Sequence, residues 1–178
     1  MFKGARGKRR RGTGIQGERG EVIEMLPTPK SYTLVAAAAE GEKELTAFDR
    51  ALLLAGIGNV NLVRVSSILP PGAEYREKLN IPPGSLVPIA YGSLSSTEPG
   101  ALIAAAVAVG VGPDAGSFGV IMEFSGFCSQ EEAEREVREM VIEAFRYREM
   151  PLKEIKVVGV EHRVVRCGCV FAAVPLWY

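Results

Sequence analysis

The chain has one histidine, His162, and three cysteines, Cys128, Cys167 and Cys169. A structural zinc site takes four ligands of the Cys, His or carboxylate kind at close spacing, and this set does not supply them, so no metal is expected. Three unevenly spaced thiols make no disulfide framework, which points to a reducing cytoplasm. Hydrolysis by a Ser-His-Asp triad would depend on His162 alone, and no serine stands in a Gly-x-Ser-x-Gly elbow; His162 is expected to be structural or at the surface. The N-terminal end lacks acids: Lys3, Arg6, Lys8, Arg9, Arg10 and Arg11 all precede Glu18. Such a cluster could grip nucleic acid by releasing phosphate counterions. Its glycines and scarcity of apolar residues fit a flexible basic tail better, and nucleic acid is not the expected partner.

Long apolar runs are also missing. No apolar segment follows the arginines to make a secretory signal, and the greasiest stretch, 101–112, is too short to span a bilayer and reads as a buried strand. A length of 178 residues suits one domain that buries about 70% of the surface its unfolded chain exposes. Residues 1–30, ending in Pro27 and Pro29, show no periodicity. The expected division is therefore a tail over 1–30 and a single domain over 31–178.

Within that domain, strands are expected at 32–38, 60–66, 86–91, 102–109, 118–124, 155–163 and 169–174. A helix is expected over 43–55, with Leu45, Phe48 and Leu52 as its apolar stripe and Gly56 as its stop. A longer helix opens at Ser129, where Ser-x-x-Glu with Glu132 makes a capping box. Its stripe is Ala133, Val137, Met140, Val141 and Ala144. Two main helices and about seven strands predict an α/β (α+β) fold, a layered α-β-β-α sandwich with sheet at its centre. On the strand at 60–66, period 2 places Asn61, Val63, Val65 and Ser67 on one face and Val60, Leu62 and Arg64 on the other.

The glycines of Gly56-Ile57-Gly58 superficially suggest a dinucleotide loop. That motif needs a strand before the glycines and a helix after them, and here the order is reversed. The pair Ser66-Ser67 is informative only in its setting. The run GIGNVNLVRVSSILPPG at 56–72 closely resembles the self-cleavage segment of the pyruvoyl-dependent arginine decarboxylases. Ala47-Phe48-Asp49, Val87-Pro88-Ile89-Ala90-Tyr91-Gly92, Ile121-Met122-Glu123-Phe124, 134–140, Val160-Glu161-His162 and the stretch from Phe171 to Tyr178 resemble the same family in the same order, over about residues 31–178.

The resemblance implies a decarboxylase, a carbon-carbon lyase, that converts L-arginine to agmatine and carbon dioxide, as in polyamine biosynthesis or acid resistance. It implies autocatalytic cleavage between Ser66 and Ser67 into a β and an α fragment. A serine hydroxyl at 67 can attack the preceding carbonyl and move the acyl group from nitrogen to oxygen. Elimination of the ester leaves dehydroalanine, which hydrolyses to a pyruvoyl ketone and ammonia. That ketone forms a Schiff base with the substrate amine and acts as the electron sink, so neither pyridoxal phosphate nor a metal is required. By the same resemblance, Asn61 assists processing, Glu123 returns a proton to the substrate's α-carbon, and Asp49 binds the guanidinium with charge-assisted hydrogen bonds. The active form is expected to be a homotrimer, or a hexamer of two trimers, with sites at subunit boundaries. Arg50 beside Asp49 departs from a simple guanidinium site, since it could pair with that carboxylate. Two other readings compete: a pyruvoyl decarboxylase for lysine, ornithine or histidine, and an unprocessed binding or assembly protein of the same fold.

Overall fold

The computed structural model describes residues 27–178, so the expected tail lies outside the described residues for 1–26. Ten strands and two helices follow in the order β1 (Ser31–Tyr32), β2 (Val35–Glu40), α1 (Glu44–Leu54), β3 (Asn61–Arg64), β4 (Ile68–Leu69), β5 (Glu74–Tyr75), β6 (Leu86–Ser96), β7 (Leu102–Val111), β8 (Gly119–Gly126), α2 (Gln130–Tyr147), β9 (Glu154–Arg163) and β10 (Gly168–Trp177). One sheet has the strand order β3-β6-β10-β1-β5, with β2 also paired to β10, and the other has the order β4-β8-β7-β9. The sheets stack face to face with one helix on each outer side, which is the expected α-β-β-α sandwich.

Three cores follow from strand alternation. Ile103, Val107, Ile121, Val170 and Val174 fill the space between the sheets. Ala47, Ala51 and Leu52 of α1 pack on Ile89, Phe171 and Ala173. Ala133, Val137, Val141 and Phe145 of α2 pack on Ala104, Ala106 and Ala108. Both faces of β7 and β10 are thus covered, which explains why these strands are almost continuously apolar.

Local rules account for the helix ends. The Glu132 amide donates to Ser129 Oγ, and the Ser129 amide donates back to the Glu132 carboxylate, closing the expected capping box. At the end of α1, Gly56 takes φ +79°, its amide donates to Leu53, and that of Ile57 donates to Leu52. This is a Schellman closure, sealed by packing of Ile57 with Leu52. The α1 stripe differs from the expected one, because Ala47 and Ala51 are fully buried whereas Leu45 is 76% exposed. Small side chains let the helix sit close to the sheet: a Cβ on Gly41 would stand 2.4 Å from the Ala47 nitrogen.

The strand expected at 32–38 is divided in two. Its partner β10 carries Pro175, which has no amide to donate, so only the bond from the Thr33 amide to the Pro175 carbonyl survives there. Strand β6 runs past Tyr91 to Ser96 through Gly92, where an added Cβ would lie 2.7 Å from the Phe124 carbonyl oxygen. This bare position lets the two sheets approach each other beside Glu123. Among the described residues, no helix is long and apolar enough to cross a membrane.

Candidate active site

Strand β3 is the open edge of the first sheet, pairing in parallel with β6 from Asn61 opposite Leu86 to Arg64 opposite Ile89. Strand β4 is the open edge of the second sheet, pairing with β8 through Ile68 opposite Val120. Val65, Ser66 and Ser67 therefore carry the chain from one sheet to the other. The last tie on the first sheet is the bond from the Val65 amide to the Ile89 carbonyl, 3.1 Å, and the first on the second is the bond from the Ile121 amide to the Ser67 carbonyl, 2.8 Å. The Ser66-Ser67 peptide lies between these anchors. At the turn, Ser67 adopts φ +71°, a left-handed conformation that costs a residue with a Cβ about 1–2 kcal/mol. Strain of this kind gathers at functional positions.

Alternation along β8 points Glu123 to the same side as Ile121, toward the space between the sheets, at its rim. Its carboxylate oxygens accept the Ser67 hydroxyl at 2.9 and 3.1 Å. The side chain is 20% exposed, and the Arg64 guanidinium stands 3.7 Å away. Arg64 also donates to the Tyr91 carbonyl at 3.0 Å and lies 4.6 Å over the centre of the Tyr91 ring. Among the described residues, the structure thus brings together Ser67 and Glu123 of the expected set, and adds Arg64 and Tyr91. The available signal for Arg64 was a lone cation in an otherwise uncharged strand two residues before the serine pair.

Among the described residues, neither Asn61 nor Asp49 makes a hydrogen bond or ion pair with this cluster. Asn61 is exposed and donates its side-chain amide to the Gly84 carbonyl at 2.8 Å, not to the serine pair. The strand ends at Arg64 and the left-handed turn follows, so the shared face expected for Asn61 and Ser67 does not continue to Ser67. Asp49 is exposed on α1, outside the first sheet, between Leu45 and Leu53, which are 76% and 50% exposed. Arg50 donates to the Glu40 carbonyl, and no ion pair with Asp49 forms among the described residues.

His162 lies elsewhere, 2.6 Å from the Glu40 carboxylate, which also accepts the amides of Val165, Arg166 and Cys167. Burial pushes the Glu40 carboxyl up, but these four partners together outweigh it and hold its pKa down at about 2. The carboxylate fastens the turn between β9 and β10. Cys167 and Cys169 are free and buried, and burial raises the Cys169 thiol.

A family model described as pyruvoyl-dependent arginine decarboxylase matches residues 31–178. The chain belongs to the pyruvoyl-dependent arginine decarboxylase family. It is 51% identical over 150 residues to the pyruvoyl-dependent arginine decarboxylase of Methanocaldococcus jannaschii, an alignment covering 84% of this chain and 91% of that protein. To the protein of the same name from Pyrococcus furiosus it is 50% identical over 136 residues, 75% of this chain and 85% of the other. The Methanococcus vannielii protein, again of that name, is 44% identical over 150 residues, 84% of this chain and 92% of its own.

The family's prosthetic group is made from the chain itself, and the residues at the crossing fit it. Residue 67 carries the oxygen needed to receive an acyl group, a carboxylate holds that hydroxyl, and the peptide before it is spanned between two fixed anchors. Among the described residues, no cluster of three or more His, Cys, Asp or Glu side chains forms a metal site.

Proposed function

We propose that this chain cuts itself between Ser66 and Ser67 and that the processed protein decarboxylates arginine to agmatine and carbon dioxide. The observation that carries the proposal is the Ser67 hydroxyl donated to the Glu123 carboxylate, 2.9 Å at its shorter bond, beside a strained peptide at the sheet crossing. Glu123 receives the hydroxyl proton as Ser67 Oγ adds to the Ser66 carbonyl carbon. The amide C–N bond breaks as the ester forms, and residue 67 gains a free amine. Loss of the residue 67 α-proton then breaks the Oγ–Cβ bond, releasing Ser66 with a carboxylate. Water replaces the resulting enamine nitrogen, leaving a ketone and ammonia. Throughout, the Ile121 amide keeps the residue 67 carbonyl in place.

When present, the pyruvoyl ketone supplies the electron sink for decarboxylation. Glu123, which contacts the side chain of the residue that carries it, returns a proton to the substrate's α-carbon. Asn61 serves processing by turning its amide from the Gly84 carbonyl toward the rearranging one. Asp49 reads the guanidinium. The exposed Leu45 and Leu53 on either side favour a site completed across a subunit boundary in a homotrimer or a pair of trimers. Free thiols at Cys128, Cys167 and Cys169 suit a reducing cytoplasm.

Mass spectrometry under denaturing conditions tests the proposal. Two pieces are expected, split after Ser66, with the C-terminal piece lighter by one ammonia than a piece beginning with serine, and blocked to Edman degradation. One full-length species, or a C-terminal piece with a free serine amine, would refute it.

A further inference from the structure

The serine pair and Glu123 do not stand alone at the crossing. Arg64, the last residue of β3, lies over Tyr91 at the edge of the first sheet and reaches Glu123 from there. One guanidinium nitrogen donates to the Tyr91 carbonyl at 3.0 Å and lies 3.7 Å from Glu123 Oε1, the oxygen that also accepts the Ser67 hydroxyl at 3.1 Å. The flat face of the group rests on the Tyr91 ring, 4.6 Å from its centre. That ring is itself held against Phe171 and Phe48, with centroids 5.4 and 6.4 Å away. A continuous path of contact thus runs from the aromatic packing under α1 through Tyr91 and Arg64 to the reacting carboxylate.

We infer that Arg64 is a positioning residue for both steps: it fixes the rotamer of Glu123 so that the carboxylate faces residue 67 before and after the cut. The inference rests on the proposed reading of Glu123 and Ser67. Stability does not explain the arrangement, because the guanidinium is 58% exposed, and exposed ion pairs contribute about 0–1 kcal/mol at most. Orientation does, since a planar fork can hold a carbonyl and face a carboxylate at once, and a lysine ammonium cannot be placed so rigidly. The location adds a second role. The proposed cut puts Arg64 in the N-terminal piece and Tyr91, Glu123 and residue 67 in the C-terminal piece. After the Val65 amide, Arg64 supplies the nearest side-chain tie that keeps the freed end in register beside the site.

The test uses Arg64→Met and Arg64→Lys in the full chain, each with and without Glu123→Gln. Conversion of full-length chain to two pieces and steady-state decarboxylation of arginine are followed in each. With Glu123 present, Arg64→Met is expected to slow cleavage and lower kcat by roughly tenfold, the effect of one lost charge-assisted contact. KM should stay within about twofold, since no substrate contact is removed. Arg64→Lys should fall between the methionine variant and the parent. In the Glu123→Gln background the methionine substitution should cost little more, because the carboxylate it positions is gone. Parental cleavage and kcat in Arg64→Met, with Glu123→Gln impaired, would overturn the role of Arg64 alone. So would a loss that persists in full in the double variant, or one confined to KM. Parental rates in Glu123→Gln itself would instead overturn the reading of Glu123. If the methionine variant does not accumulate as folded protein, Arg64→Lys decides: parental rates in both steps would overturn the inference.

Discussion

Replacing Glu123 by glutamine keeps side-chain volume and one acceptor for the Ser67 hydroxyl but removes the group that can take its proton. In the structure both carboxylate oxygens contact that hydroxyl, at 2.9 and 3.1 Å. A glutamine offers one oxygen there and turns an amide toward Arg64, whose guanidinium is 3.7 Å from Oε1, so two donors would meet. Proton transfer by a positioned group contributes roughly 10²- to 10⁴-fold. Glu123→Gln is therefore expected to retain its fold, cut itself more slowly by about that factor, and, in whatever fraction is processed, decarboxylate arginine more slowly by a similar factor. Pulse-labelling followed by denaturing electrophoresis gives the cleavage rate, and release of labelled carbon dioxide per processed site gives turnover. A variant that cuts and turns over at the parental rates would refute the reasoning. One that cuts normally but turns over slowly would confine Glu123 to decarboxylation and assign the hydroxyl proton to another acceptor.

Two further outcomes are expected. Asp49→Asn should weaken apparent arginine affinity by about 1.5–3 kcal/mol, one charge-assisted bond, while self-cleavage proceeds; steady-state kinetics with unchanged arginine affinity would show that Asp49 does not read the guanidinium. Because Glu40 has its pKa lowered from 4.5 to about 2, its stabilisation is fully present above about pH 4.5 and is lost as the pH falls through 2. The linkage amounts to at most about 3 kcal/mol, reduced by solvent at a partly exposed site. Urea unfolding of uncut Ser67→Ala chain should therefore show a cost for Glu40→Gln at pH 6 that shrinks toward pH 2; a cost independent of pH would refute the assignment.

Much of the fold is legible in the residues because local chemistry decides it. The Ser-x-x-Glu box at Ser129, the glycine stop at Gly56 and the continuous apolar run of β7 all act over a few residues. The division of the first strand opposite Pro175 was less accessible, since it depends on a partner more than a hundred residues away. Likewise β4 and β5, of two residues each, exist only because a sheet edge receives them. At the site, the residue types were readable from the motif, but their arrangement was not. That Asn61 would turn to Gly84 and Arg64 to Glu123 depends on where a strand stops and a left-handed serine begins.

The strand order has a consequence for the history of the molecule. Strands β1, β2 and β3 lie before the proposed cut, and each pairs with strands that lie after it: β1 with β10 and β5, β2 with β10, and β3 with β6. The shorter piece has no sheet of its own. While the chain is whole, these strands are tethered to their partners, an advantage equivalent to effective concentrations in the millimolar range. Once cut, a molecule that unfolds can return only by second-order encounter of two pieces, so its reassembly depends on protein concentration. The order of events is thereby fixed: folding must precede cutting, and each processed molecule preserves an assembly made while its halves were still one chain.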